Sequence, residues 1–154
     1  MEMKLLSEIE LFKELETLHM AHLCSIAIRE EVAAGTLLFD DGDQGDSLYV
    51  ISKGEIRISK AIPGMGEEAL AILKPGAYFG EMEYIDRQLH RAAQAIVHRR
   101  VVLYRFRYTD LDDLMGTDAS LALAIQRCML QTLARRLRAT NDKVTAMFAM
   151  AQFG

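Results

Sequence analysis

Between Ile26 and about Arg107 the sequence is interrupted by turn signals so often that no long helix fits there. Eight of the ten glycines lie between Gly35 and Gly80. They punctuate short apolar stretches: Gly35 to Phe39, Ser47 to Ser52, Glu55 to Ser59, Ala69 to Leu73, Ala92 to Val97 and Val101 to Phe106. Strands recurring with turns at roughly 8–12-residue spacing are the pattern of a β-sandwich or barrel. The flanks read differently. Leu5, Leu6, Ile9, Leu11 and Phe12, then Leu15, Leu18, Met20 and Leu23, recur by threes and fours, which predicts short helical pieces. The expected order is a helical cap over 1–25, a β body over 26–108 and helices over 110–150.

With 154 residues, 51% of them apolar and 26% charged, the chain supports one packed core, and wholesale disorder is excluded. A net charge of −4 removes the simple argument for gripping nucleic acid over a whole surface. Cys24 and Cys128 are far apart and have no zinc spacing, so reduced thiols in apolar surroundings are expected. The opening Met1-Glu2-Met3-Lys4 lacks a basic region followed by an apolar one. No apolar run approaches ~18 residues. A cytoplasmic location is expected.

After Asp110 the helical texture returns. Asp110 to Leu114 is expected to form a short helix ended by Gly116, after which Thr117 or Asp118 caps a long one. No Gly or Pro interrupts Ala119 to Met150. Within it Leu130, Leu133, Leu137, Thr140, Val144, Met147 and Ala151 step by 3, 4, 3, 4, 3 and 4. Such a seam lets helices pair lengthwise, so a homodimer through 121–150 is expected; a single helix lying on its own barrel is the competing reading. Arg135, Arg136 and Arg138 beside the seam are expected to be solvated.

Two segments carry candidate chemistry. In Gly76-Ala77-Tyr78-Phe79-Gly80-Glu81-Met82-Glu83-Tyr84, a glycine just before a helical turn lets backbone amides approach an anionic oxygen. In His90-Arg91-Ala92-Ala93-Gln94-Ala95, a guanidinium is followed by small residues that leave room for a phosphate. Glu81 is suited to accept from a sugar hydroxyl. On the residues alone this is a candidate phosphate-and-sugar pocket. Asp40, Asp41, Asp43 and Asp46 lack the spacing of a calcium loop. His19, His22, His90 and His98 have no companions for a metal set, so no metal is expected. No serine or cysteine stands in a nucleophile's setting, and enzymatic activity is not expected.

The run Gly35-Thr36-Leu37-Leu38-Phe39, continuing through Gly42-Asp43-Gln44-Gly45-Asp46-Ser47-Leu48-Tyr49-Val50-Ile51-Ser52-Lys53-Gly54, resembles the first half of a cyclic-nucleotide-binding domain. Phe79-Gly80-Glu81, with Arg91-Ala92-Ala93 beginning ten residues after the glutamate, resembles that family's phosphate-binding cassette. The spacing is similar to that of bacterial catabolite activators of the Crp-Fnr group. Leu133 to Val144 resembles their dimer helix.

The resemblance implies a β-roll, a jelly-roll-like double-stranded β-helix, with N-terminal helices and a long C-terminal helix. It implies cAMP or cGMP as ligand. Gly80 would approach the sugar, Glu81 would accept from the ribose 2′-hydroxyl, and Arg91 would pair with the cyclic phosphate. The amides of Met82, Glu83 and Ala92 would complete the cradle. Thr140 and Asn141 would touch the base, and alanine rather than a hydroxyl residue at position 92 leans towards cAMP. Such a domain would be a regulatory sensor in signal transduction, read by an effector protein of unknown identity. Glu83 departs from the pattern, standing beside the phosphate position where a small residue is common. It motivates an alternative: a dimeric scaffold of the same fold that has lost nucleotide binding. The sequence stops at Gly154, so no helix-turn-helix and no direct DNA contact is expected.

Overall fold

The glycine-rich turns divide the chain into six strands, as many as its apolar stretches, although the two sets do not coincide. In the computed structural model, which describes residues 3–153, the helices α1 (Met3–Ser7) and α2 (Thr17–Ile26) flank a 3-10 turn at Glu10–Phe12. Then come β1 (Ile28–Val32), β2 (Leu37–Phe39), β3 (Ser47–Ile62), β4 (Gly66–Leu73), β5 (Tyr78–Phe79) and α3 (Met82–Ile85). The chain closes with β6 (Gln94–Arg107), α4 (Tyr108–Thr117) and α5 (Ala119–Phe153). The first two residues of the expected cap and Gly154 lie outside the described residues.

Two expected pairs of strands are single long ones. Ser47 to Ser52 and Glu55 to Ser59 merge into β3, and Ala92 to Val97 and Val101 to Phe106 merge into β6. The interruption at Gly54 is a bend rather than a break. Its φ of 82° is open to glycine, and an added Cβ would lie 2.1 Å from the Arg100 carbonyl oxygen. The register between β3 and β6 shifts around this point, between Ile51 and Lys53, Lys53 and Glu55, and Glu55 and Ile56. Each irregularity bends and twists the ribbon. Bent this way, β6 pairs with β1 along its second half and with β2 along its first. β3 pairs with β5 near its start and with β4 near its end. All pairings are antiparallel, and the result is the expected roll with flanking helices.

Strand alternation builds two cores. Side chains along a strand point to opposite faces in turn. Tyr49, Ile51, Val101, Leu103 and Phe79 fill the inside of the roll, while Leu48, Val50, Tyr104, Phe106 and Tyr78 face the helices. Leu11, Phe12 and Leu23 of the N-terminal segment meet Leu121, Ile125 and Met129 of α5 on that outer face. The roll therefore supports the helices directly.

Two boundaries differ from expectation. Gly116 lies inside α4, and Thr117 bonds back to the Asp113 and Leu114 carbonyls. Asp118 alone caps α5, accepting from the Leu121 amide at 3.0 Å. At ~1.5 Å per residue, the 35 residues of α5 extend roughly 50 Å. Its buried positions, Leu121, Ile125, Cys128, Met129 and Thr132, all lie in the first half. The predicted seam is a different face: Leu130, Leu137, Val144 and Met147 are exposed, as are Phe148 and Met150 beside it.

Gly54→Ala is expected to destabilise the protein by about 2–5 kcal/mol, adding a left-handed side-chain penalty to a clash with backbone. Urea unfolding would measure the loss.

Candidate functional site

The sharpest local demand in the roll is the burial of a guanidinium. Arg91, on the segment leading into β6, is 4% exposed. Its backbone is fixed by the acid-rich turn: Gly42 N–H donates to the Arg91 carbonyl at 2.7 Å, and Arg91 N–H donates to the Asp43 carbonyl at 2.8 Å. Asp43 in turn caps the turn, accepting from the Asp40 amide at 2.8 Å. The aspartates thus serve a turn. Among the described residues no group of three or more metal-binding side chains occurs.

The Arg91 side chain gathers neighbours from across the chain. Nη1 donates to Glu83 Oε2 at 2.9 Å and to the Tyr108 hydroxyl at 3.3 Å; Nη2 donates to the Ser47 carbonyl at 2.8 Å. Cζ stands 4.2 Å above the Phe39 ring. The Tyr108 hydroxyl donates onward to the Gly80 carbonyl at 2.5 Å. Burial pushes its phenol up to about 12, so it stays a donor. Two glycines make room. A Cβ on Gly80, whose φ is 85°, would fall 2.8 Å from Arg91 Nη1; one on Gly45 would fall 2.9 Å from Cζ.

Beside this cluster lies a cavity of ≈ 460 Å³ between the roll and α5. Gly80, Glu81, Met82, Glu83 and Ala92 line one side, and Arg136, Ala139, Thr140 and Lys143 of α5 line the other. Apolar walls come from Ile58, Leu70, Leu73 and Phe79. Pockets with apolar walls and a few convergent polar groups suit a small molecule. Arg91 itself and Asn141 are absent from the lining. Thr140 reaches the cavity but its hydroxyl donates to the Arg136 carbonyl at 2.9 Å.

Glu81 is 2% exposed and accepts from Arg136 Nη1 at 2.6 Å. Burial pushes its carboxyl above the ordinary value of 4.5, with the Arg136 charge pulling partly back. Arg136 is exposed, as expected of the arginines beside the seam, yet its head is also engaged by this buried carboxylate. Its Cζ stands 5.8 Å from the Tyr78 ring centroid. Arg135 likewise pairs with Glu10. Arg136 shares a helix face with Thr140, one turn on, and that spacing was the available signal. Tyr108 and Gly45 carry no local signal, because their contacts with Arg91 are long-range. Glu83 is 6% exposed and turned towards Arg91.

The sequence profile of the family described as "Cyclic nucleotide-binding domain" matches residues 29–118. The "Cyclic AMP receptor protein" of Thermus thermophilus is 34% identical over 104 residues, covering 68% of this chain and 46% of that protein. The "CRP-like cAMP-activated global transcriptional regulator" of Mycobacterium tuberculosis is 30% identical over 142 residues, 92% of this chain and 61% of that protein. The chain thus spans about half to three-fifths of the length of these relatives. Among solved structures, a cyclic nucleotide-binding domain from Methylobacillus flagellatus KT superposes with a TM-score of 0.80 at 27% identity, over 92% of this chain and 79% of that one.

Because Glu81 holds its proton more tightly folded than unfolded, its contribution to stability is full below pH 4.5 and is lost as pH rises through its raised value. Glu81→Gln removes that loss. The variant is expected to gain stability relative to the parent as pH rises from 4 towards 7, in melts run across the series.

Proposed function

The chain belongs to the cyclic nucleotide-binding domain family, and from that premise we propose that it is a regulatory sensor binding cAMP in the cavity between the roll and α5. One observation carries the reading: a single cavity is lined by the cassette residues and by α5. A ligand there touches both, so it favours the arrangements in which roll and helix are closed on it. The ribose end would meet Glu81 and the Gly80 backbone, and the phosphate would engage Arg91 with the amides of Met82, Glu83 and Ala92. Thr140 would meet the base; Asn141, lying outside the lining, would serve a ligand only in another arrangement of α5. With no hydroxyl at Ala92, cAMP is favoured over cGMP. The relatives named for cAMP support the same ligand.

Signal output in this reading runs through α5 as a homodimer helix, its Leu130, Leu137, Val144 and Met147 face covered by a second copy. An effector would read the helix angle. The role is binding, not catalysis. A second reading, a scaffold that keeps the fold without nucleotide, is favoured by the Arg91–Glu83 ion pair.

Thermal melts with cAMP, cGMP and AMP test the ligand. At a hundred times its dissociation constant a ligand adds ~2.7 kcal/mol, a rise of roughly 5–11 °C for this size. The rise is expected with cAMP and not with AMP; flat melts at millimolar nucleotide would favour the scaffold. Leu137→Asp is expected to convert dimer to monomer in analytical ultracentrifugation, since a buried seam does not tolerate an unpaired charge.

A further inference from the structure

The cavity meets a carboxylate where its family-implied ligand carries a negative charge. Glu83 lines it, Arg91 does not, and the two side chains pair at 2.9 Å with exposures of 8% and 3%. Arg91 is not fully satisfied by this arrangement, because its buried Nε–H has no acceptor among the described residues. We infer that Glu83 is a built-in counter-ion for Arg91, which an incoming phosphate must displace, and that it determines how tightly and how selectively the site takes anions. This rests on the cavity being a cyclic nucleotide site.

Two reasons make displacement necessary. Like charges repel strongly where water is excluded, so phosphate and the Glu83 carboxylate cannot share one guanidinium closely. A buried arginine also needs a partner in either state, and Glu83 supplies it when no ligand is present. The repulsion grows with ligand charge, so a dianionic 5′-monophosphate is refused more strongly than a cyclic monoanion. Glu83 sits on α3, whose neighbour Tyr84 donates to Asp112 of α4 at 3.1 Å. Just beyond, Arg87 grips both Asp112 oxygens at 2.9 Å. Expelling Glu83 therefore acts on a segment anchored to α4.

The test uses the near-isosteric Glu83→Gln, which retains an oxygen for Arg91 and so keeps the fold. Without ligand its melting temperature is expected to fall by roughly 5 °C. Its affinity for cAMP, by titration calorimetry, is expected to rise about tenfold, since a neutral hydrogen bond is roughly half as strong as a charged one. In Glu83→Ala, millimolar sulfate is expected to raise the melting temperature, and to do so less or not at all in the parent. A parent that binds cAMP with a Gln variant that binds no tighter would overturn the counter-ion and leave the proposed function standing. A parent that fails to bind with a Gln variant that does would support it in its strongest form. If neither parent nor variant takes cAMP or cGMP, both readings fall.

Discussion

A single buried guanidinium organises this half of the roll. Arg91 joins the start of β3 through the Ser47 carbonyl, α3 through Glu83, the start of α4 through Tyr108, and β2 through the Phe39 ring. A charge that has left water must be met by acceptors at hydrogen-bond distance. Meeting that demand fixes where four separate elements end or begin. It also accounts for glycine at positions 45 and 80, where any side chain would collide with the arginine. The cassette is thus a packing arrangement before it is a binding site.

The other side of the cavity is held more lightly. Only the first half of α5 is packed by apolar side chains. Near its middle, ion pairs tie it down, Arg135 to Glu10 and Arg136 to Glu81. Exposed arginine heads contribute little individually to stability. Segments held by few buried contacts are those whose position small free energies can alter. Glu81 is the exception in this pairing, because it is buried while its partner is half exposed. Its raised pKa reflects a carboxylate kept in an apolar wall at some loss of stability, as functional groups often are. The molecule therefore joins a densely packed roll to a helix of which only the first half is packed against it. The cavity lies at the join.

Much of this was legible in the chain. Glycine-rich turns between short, regularly recurring apolar stretches determined a β body, and spacing by threes and fours determined the flanking helices, because each signal is local and tied to backbone geometry. Gly80, Glu81 and Ala92 fall in short segments of fixed order, and the structure brings them to one cavity wall, whereas Arg91 does not line it. The seam of α5 was readable because its signal too is local. Which of its faces packs on the roll was not, because that depends on the outer faces of distant β3 and β6.

What only the tertiary structure decided is which charge meets which. Local spacing places Glu83 one residue past Met82, yet says nothing of whether its carboxylate points to water or to Arg91. Arg136 reads as one of several helix arginines until Glu81 is brought beneath it. Whether β3 is one strand or two depended on the bend at Gly54 against Arg100, a contact between strands. Periodicity is written into neighbouring residues, so the sequence determined the elements and the candidate pocket. Ion pairing in a low-dielectric interior depends on distances between residues remote in sequence, and those exist only once the roll has closed.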